Sequence, residues 1–350
     1  MRINLKKDMF SEKEFVLVEN GVMKATAFKY STGVEALKVE NDKGYFIILP
    51  FQGQQVWRVN FLGKDLTMKT KIDEPLSNCH FLETYGGFLL HCGIDGIGSP
   101  RETDNHQQHG ELPNVAYQNA YIECGDDYIA VGGEHIYDKS FVRCFTFAPE
   151  CRLYAGDTVL NVTVNIENRR NAPLEYVYLC HINFRPFDGS EIIYTGDYQK
   201  TVVCRGGESG DLERYMNELE KNPEIHHKVG AAGQVYAPEI CFWPKYFGDE
   251  NNRAYTIQYN DEGACYVSHD VKVLPAGVRW IARTCDEDSM GIILPSTSEH
   301  LGYTNAKNKG QVKVLGPNEK LTFTMEAGYL DKSRADAMKD KIENLRKVNL

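Results

Sequence analysis

The chain has 350 residues, 42 % of them hydrophobic and 25 % charged, a composition that supports a large folded core and excludes wholesale disorder or a fibrous repeat. Acidic residues outnumber basic ones, 49 to 39, for a net charge of −10. That balance argues against broad nucleic-acid binding, which needs clustered Lys and Arg, and favours a neutral or small partner.

The N-terminus, MRINLKKDMFSEKEF, lacks the apolar segment of a secretory signal. The apolar runs, such as Tyr45 to Leu49, fall far short of the roughly 20 residues a membrane helix requires. No membrane association and a cytoplasmic location are therefore expected. From there the dominant signal is β. Short segments rich in Val, Ile, Tyr, Phe and Thr recur between Gly, Asn, Asp and Pro: EFVLVENG, GVEALKVENDKG, YFIILP and QQVWRVNFLGKD come first. In LNVTVNI, Leu160, Val162, Val164 and Ile166 alternate with polar residues, the period of a half-buried strand. EYVYLCHINF, YTIQYNDEG and KLTFTMEAGYL continue the series.

Helical patterns are few. DLERYMNELEKN, 211–222, puts Leu212, Tyr215, Met216 and Leu219 on one face, inside a stretch of about 205–235 that reads as a helical insertion. The tail carries Ala335, Met338, Ile342 and Leu345 at helical spacing, predicting a C-terminal helix over about 332–347 with Ser333 as its N-cap. Neither helix alternates regularly with strands, which argues against a parallel α/β fold. The expectation is an all-β chain, one large antiparallel sandwich spanning residues 1–350 as a single domain.

Ten cysteines show no CxxC and no zinc-ribbon spacing; most sit in apolar runs and read as buried free thiols in a reducing compartment. His106 and His109, with Asp104 and Glu111 nearby, are the residue types of a Zn or Mn site, but DNHQQHGE reads as a loop that fixes no common face, so no metal or other cofactor is expected. GIDGIGSPR is neither GxGxxG nor a Walker loop. No GxSxG nucleophile motif occurs. His226 and His227 are adjacent and read as solvated. The informative outlier is His181, in the apolar strand VYLCHINF: with Val177 and Leu179 it points to one face, either as a hydrogen-bonded core histidine or at a cleft.

These segments resemble, in order through most of the chain, the aldose 1-epimerase (galactose mutarotase) superfamily, in its divergent aldose 1-epimerase-like branch. GYFIILPFQGQQVWRVNFLGKDL resembles the early strands, GGFLLHCGIDGIGSP the Gly-rich strand and turn, QQHGELPN the His-Gly motif, LNVTVNIENRRNAPLEYVYLCHINF the strand pair ending in the catalytic histidine, and VKVLPAGVRWIA with VKVLGPNEKLTFTMEAGYL the closing strands. The resemblance implies a galactose mutarotase-like supersandwich that binds a monosaccharide or sugar derivative and interconverts its α and β anomers. Ring opening needs O5 to gain a proton while the anomeric hydroxyl loses one, without metal or nucleotide.

Carried over by position, His181 is the general acid, for which a histidine titrating near neutrality suits. His109 binds the sugar, joined by Asn183 and Arg101, and Trp280 stacks on a pyranose face or is a core tryptophan. The family's base, a late-strand Glu before a Pro, is replaced: GIILPSTSEHLGY has Leu294 before Pro295. Either Glu299 or Glu239 supplies the carboxylate, or the protein binds sugar without catalysing its mutarotation. Related epimerases act on hexose 6-phosphates, for which Arg101, Arg185 and Arg279 are the available cations. The alternatives are a silent sugar-binding or sensing protein and a metal-dependent sugar isomerase. A homodimer is compatible with the sequence, which does not specify assembly.

Overall fold

Two antiparallel sheets carry the chain. The structure, a computed structural model, describes residues 1–77, 80–206, 208–230 and 235–350, without the side chain of Pro238. The smaller sheet has nine strands and the larger thirteen. In the larger sheet the order runs Gly196–Cys204, Tyr236–Tyr246, Ala276–Arg283, Asp288–Ser296, Leu174–Ile182, Leu89–Ile94 and Val56–Phe61, then on through four N-terminal strands. The segment Val159–Asn168, whose alternation was the clearest in the sequence, pairs with Arg143–Tyr154 and Lys320–Asp331 in the smaller sheet. This is the expected large antiparallel β-sandwich.

Side-chain alternation divides each strand of the larger sheet between two environments. In Leu174–Ile182, Tyr178, Cys180 and Ile182 join the main core with Phe147, Phe184 and Phe323. Val177 and Leu179 face the other way, into a separate apolar cluster with Cys92, Cys241, Val278, Trp280 and Leu294. His181 shares the parity of Val177 and Leu179, so the pleat that buries Cys180 and Ile182 in the core sends the histidine to the opposite face.

Helix α1, Gly210–Lys221, lies between two strands of the larger sheet and buries Met216 and Leu219. A short α2, Tyr303–Asn308, was not foreseen. Helix α3, Lys332–Asn349, packs Ala335 and Ile342 against Ile257, Tyr266 and Leu330 of the smaller sheet. Its N-cap is Asp331 rather than Ser333: the Asp331 carboxylate accepts the Arg334 N–H at 2.9 Å. None of the helices in the described residues is long and apolar enough to cross a membrane. The nine cysteines among the described residues are free, and Cys79 lies outside them.

Candidate active site

His181 stands on the face of the larger sheet that points away from the core. There a cavity of 340 Å³ opens, its base formed by Leu179, His181, Cys241, Val278, Trp280 and Leu294. Loops close its sides with Phe81, Tyr85, His109, Glu287 and His300.

The imidazole of His181 is held by one chain of hydrogen bonds. Its Nδ1 lies 2.6 Å from Asn183 Oδ1. The Asn183 amide nitrogen donates to the Gly87 carbonyl at 2.9 Å, which fixes the amide with its oxygen towards the histidine. The Tyr85 hydroxyl donates to the same oxygen at 3.1 Å. Because Oδ1 only accepts, Nδ1 must carry the hydrogen, and in the neutral ring Nε2 is unprotonated, its lone pair 3.4 Å from the Tyr85 hydroxyl. Burial pulls His181 down to about 4, opposed by the bond to Asn183 and reinforced by His300. The value near neutrality anticipated from the sequence is therefore displaced, and the imidazole is neutral at pH 7.

His109 is brought to His181. The two rings sit 5.0 Å apart, edge to face, with Phe81 4.8 Å from His109 on another side. His109 adopts a left-handed backbone, φ 59°, and its main chain bonds Gly93 and Gly98, both at 3.0 Å. Burial, with repulsion from His181, His300 and His106, holds it well below the ordinary range for histidine, so it is neutral too. Trp280 lies edge-on to His181 at 5.3 Å and is 8 % exposed, part of an apolar cluster and of the cavity wall at once.

The carboxylates separate. Glu239 lines the cavity and accepts a hydrogen bond from Trp280 Nε1. Glu299 is turned aside to Lys309 Nζ at 2.6 Å and is not among the residues around the cavity. Leu294, 2 % exposed, lines the cavity wall. Arg101 lies outside this cavity, in a second one beside it. Arg185 pairs with Asp65 at 2.7 Å and Arg279 is buried beneath its strand against His226, so the three arginines do not converge.

The histidine and acidic residues of the 104–111 loop disperse as well. His106 is buried against Gly96 and Asp104, Glu111 lies 3.5 Å from Arg143, and only His109 reaches the cavity. No group of three metal-ligating side chains occurs among the described residues. His226 and His227, read as solvated, are 3 % and 7 % exposed, packed beside Arg279, Phe242 and Tyr198.

Sequence reasoning missed Tyr85, Glu287 and His300. Tyr85 follows a single 3-10 turn, Phe81–Thr84, and carries no periodic signal. His300 sits beside Glu299, and of the two it is the histidine that enters the cavity. Its Nδ1 accepts from Trp243 Nε1 at 3.2 Å, and burial lowers it to about 4.

Solved structures with this fold include a Klebsiella pneumoniae protein described as a "putative aldose 1-epimerase", 17 % identical with a TM-score of 0.84, the match covering 95 % of this chain and 91 % of that one. A galactose mutarotase-like protein from Clostridium acetobutylicum is 14 % identical with a TM-score of 0.62, covering 89 % of this chain and 100 % of that one. At such identities the likeness establishes the fold. No curated protein matches the chain in sequence. The DUF4432 family, described as a domain of unknown function, matches residues 31–328, and the chain belongs to that family.

Proposed function

We propose that the protein is an aldose 1-epimerase-like isomerase that opens and recloses a sugar ring with His181 as the proton-transfer group. The observation that carries this reading is the anchored, neutral imidazole at the base of an aromatic-walled cavity. Its unprotonated Nε2 takes the proton of the anomeric hydroxyl as the C1–O5 bond breaks, and the imidazolium so formed acts as general acid, delivering that proton to O5. Rotation about C1–C2 and the reverse transfers close the ring on the other face. One proton circulates, and no metal or other cofactor takes part. Glu239, on the same wall, favours the transient imidazolium by its charge or accepts the hydroxyl proton itself. His109 orients the sugar, Trp280 offers its apolar face to the C–H side of the ring, and Arg101 lies one cavity away; Asn183, buried behind His181 and outside the lining, is assigned the positioning of the imidazole instead of the sugar contact expected from the sequence. Glu299 is assigned no proton-transfer role, because Lys309 holds its carboxylate. The substrate on this reading is a free sugar in the cytoplasm.

Leu294 supports a second reading, a silent sugar-binding protein on the same fold, since leucine at that wall accepts no proton. Saturation-transfer NMR on a panel of hexoses, pentoses and deoxysugars separates the two. The proposed isomerase accelerates anomer exchange of at least one sugar, and His181→Ala slows it by about 10²- to 10⁴-fold. Sugar-dependent thermal shifts without exchange favour the binder; full exchange in His181→Ala removes the histidine from the mechanism.

A further inference from the structure

The cavity above His181 does not end at its own wall. Ser99, Glu239, Cys241 and His300 line it, and the same four residues line a second cavity of 390 Å³ on their other side. The two form one cleft with a waist. Each alone falls within the range of about 300–1000 Å³ typical of small-molecule sites. The second has no part in the proton transfers proposed above.

Its lining indicates what it takes. Leu212 and Met216, from helix α1, supply an apolar surface. The guanidinium of Arg101 has no hydrogen-bond or ion-pair partner among the described residues, so its donors are free to meet oxygen acceptors. Arg205 is already engaged by Glu208 and by Glu220, the latter at 3.2 Å. The two arginines that line the cavity are matched by two lining carboxylates, Glu208 and Glu239. His300, lowered to about 4 by burial, adds no charge at pH 7. A phosphate or carboxylate entering here would meet those two acidic groups, whereas a neutral, hydroxyl-rich group with an apolar face meets complementary surface throughout.

We propose that this second cavity is a subsite for a second, neutral sugar ring, and that the protein acts on reducing disaccharides or similar two-ring sugars. The inference rests on the sugar reading of the His181 cavity. The second ring is joined at a position other than the anomeric carbon of the first, because a glycosidic bond there would remove the hydroxyl whose proton must leave.

The test pairs calorimetric titration with saturation-transfer NMR on matched sugars: glucose with maltose, cellobiose, gentiobiose and melibiose, galactose with β-1,4-galactobiose, and glucose 6-phosphate as the anionic arm. At least one disaccharide is expected to bind about tenfold or more tighter than its own reducing-end monosaccharide, a gain of about 1.4 kcal/mol. Leu212→Trp, which fills the second cavity, should erase that gain. Arg101→Ala should reduce it even if the tryptophan variant fails to fold. Monosaccharides binding as tightly as every disaccharide would overturn the proposal, as would glucose 6-phosphate gaining more over glucose than any disaccharide does. Exchange on monosaccharides without a disaccharide gain overturns the subsite and leaves the isomerase reading standing. A disaccharide gain without exchange on any sugar does the reverse, and binding of no sugar at all overturns both.

Discussion

Asn183 decides what His181 can do. An imidazole at this depth with neither nitrogen engaged would sample both tautomers; the amide oxygen, itself fixed by the bond to Gly87, selects the one with Nδ1 protonated. Asn183→Ala removes that selection. Anomer exchange should fall by about ten- to a hundredfold, with the loss in kcat rather than KM. Asn183→Asp keeps the acceptor but places a negative charge beside the ring, which favours the imidazolium, so the His181 titration followed by NMR should move up from about 4. An unchanged rate in the alanine variant, or an unmoved titration in the aspartate variant, would show that the amide only fills space. The side on which His181 lies was legible from VYLCHINF, because Val177 and Leu179 set the parity. Its protonation state was not, because that depends on the depth of a cavity built by distant loops.

Strands were the easiest elements to read and loops the hardest, for a physical reason. A strand advertises itself through local alternation, as Leu160 to Ile166 do, whereas the loops that carry His109 and His300 are shaped by each other. Gly98 is where they meet. It has φ +72°, and a Cβ there would lie 1.6 Å from the His300 carbonyl oxygen. Gly98→Ala therefore forces the loops apart and also carries the cost of a left-handed alanine. It should destabilise the protein by more than about 1 kcal/mol and abolish exchange together. Thermal melting and NMR exchange on the same sample check this; an unaltered variant would mean that the two loops are not mutually fixed. The N-cap of helix α3 shows the finer limit of sequence reading. Ser333 and Asp331 are both good capping residues, and the strand that runs directly into the helix places Asp331, not Ser333, at the first turn.

At the scale of the whole molecule, the buried histidines link folding to pH. His91, His227 and His269 are lowered to about 3 and His181 and His300 to about 4, in each case chiefly by burial, against about 6.5 in an unfolded chain. Between those values the unfolded chain binds protons that the folded one excludes. The histidines' contribution to the folded state is therefore fully present above about pH 6.5 and is lost as the pH falls towards 4, opposed in part by Glu111, which burial raises to about 7 and which favours the fold at the acid end. Each such histidine weakens the fold by up to about 1.4 kcal/mol per pH unit, and native stability is only about 5–15 kcal/mol in all. Melting temperatures should be level from pH 7 to 8 and drop steeply below 6; a level profile down to pH 4.5 would mean that the histidines titrate in the fold as freely as in the unfolded chain. This coupling was hidden in the sequence, where His226 and His227 read as solvated, because only packing against Arg279, Phe242 and Tyr198 reveals their burial.

The central claim is that His181 begins each cycle neutral, with Nε2 unprotonated. The measurement that tests it most directly is the enzyme-dependent anomer exchange rate on the responding sugar, followed as kcat/KM from pH 6 to 9, where the fold is stable. A group lowered to about 4 is already unprotonated across that span, so the rate should stay level. A fall of about tenfold per pH unit would show that the working form is an imidazolium loaded from solvent, and the assignment of a neutral His181 would be wrong.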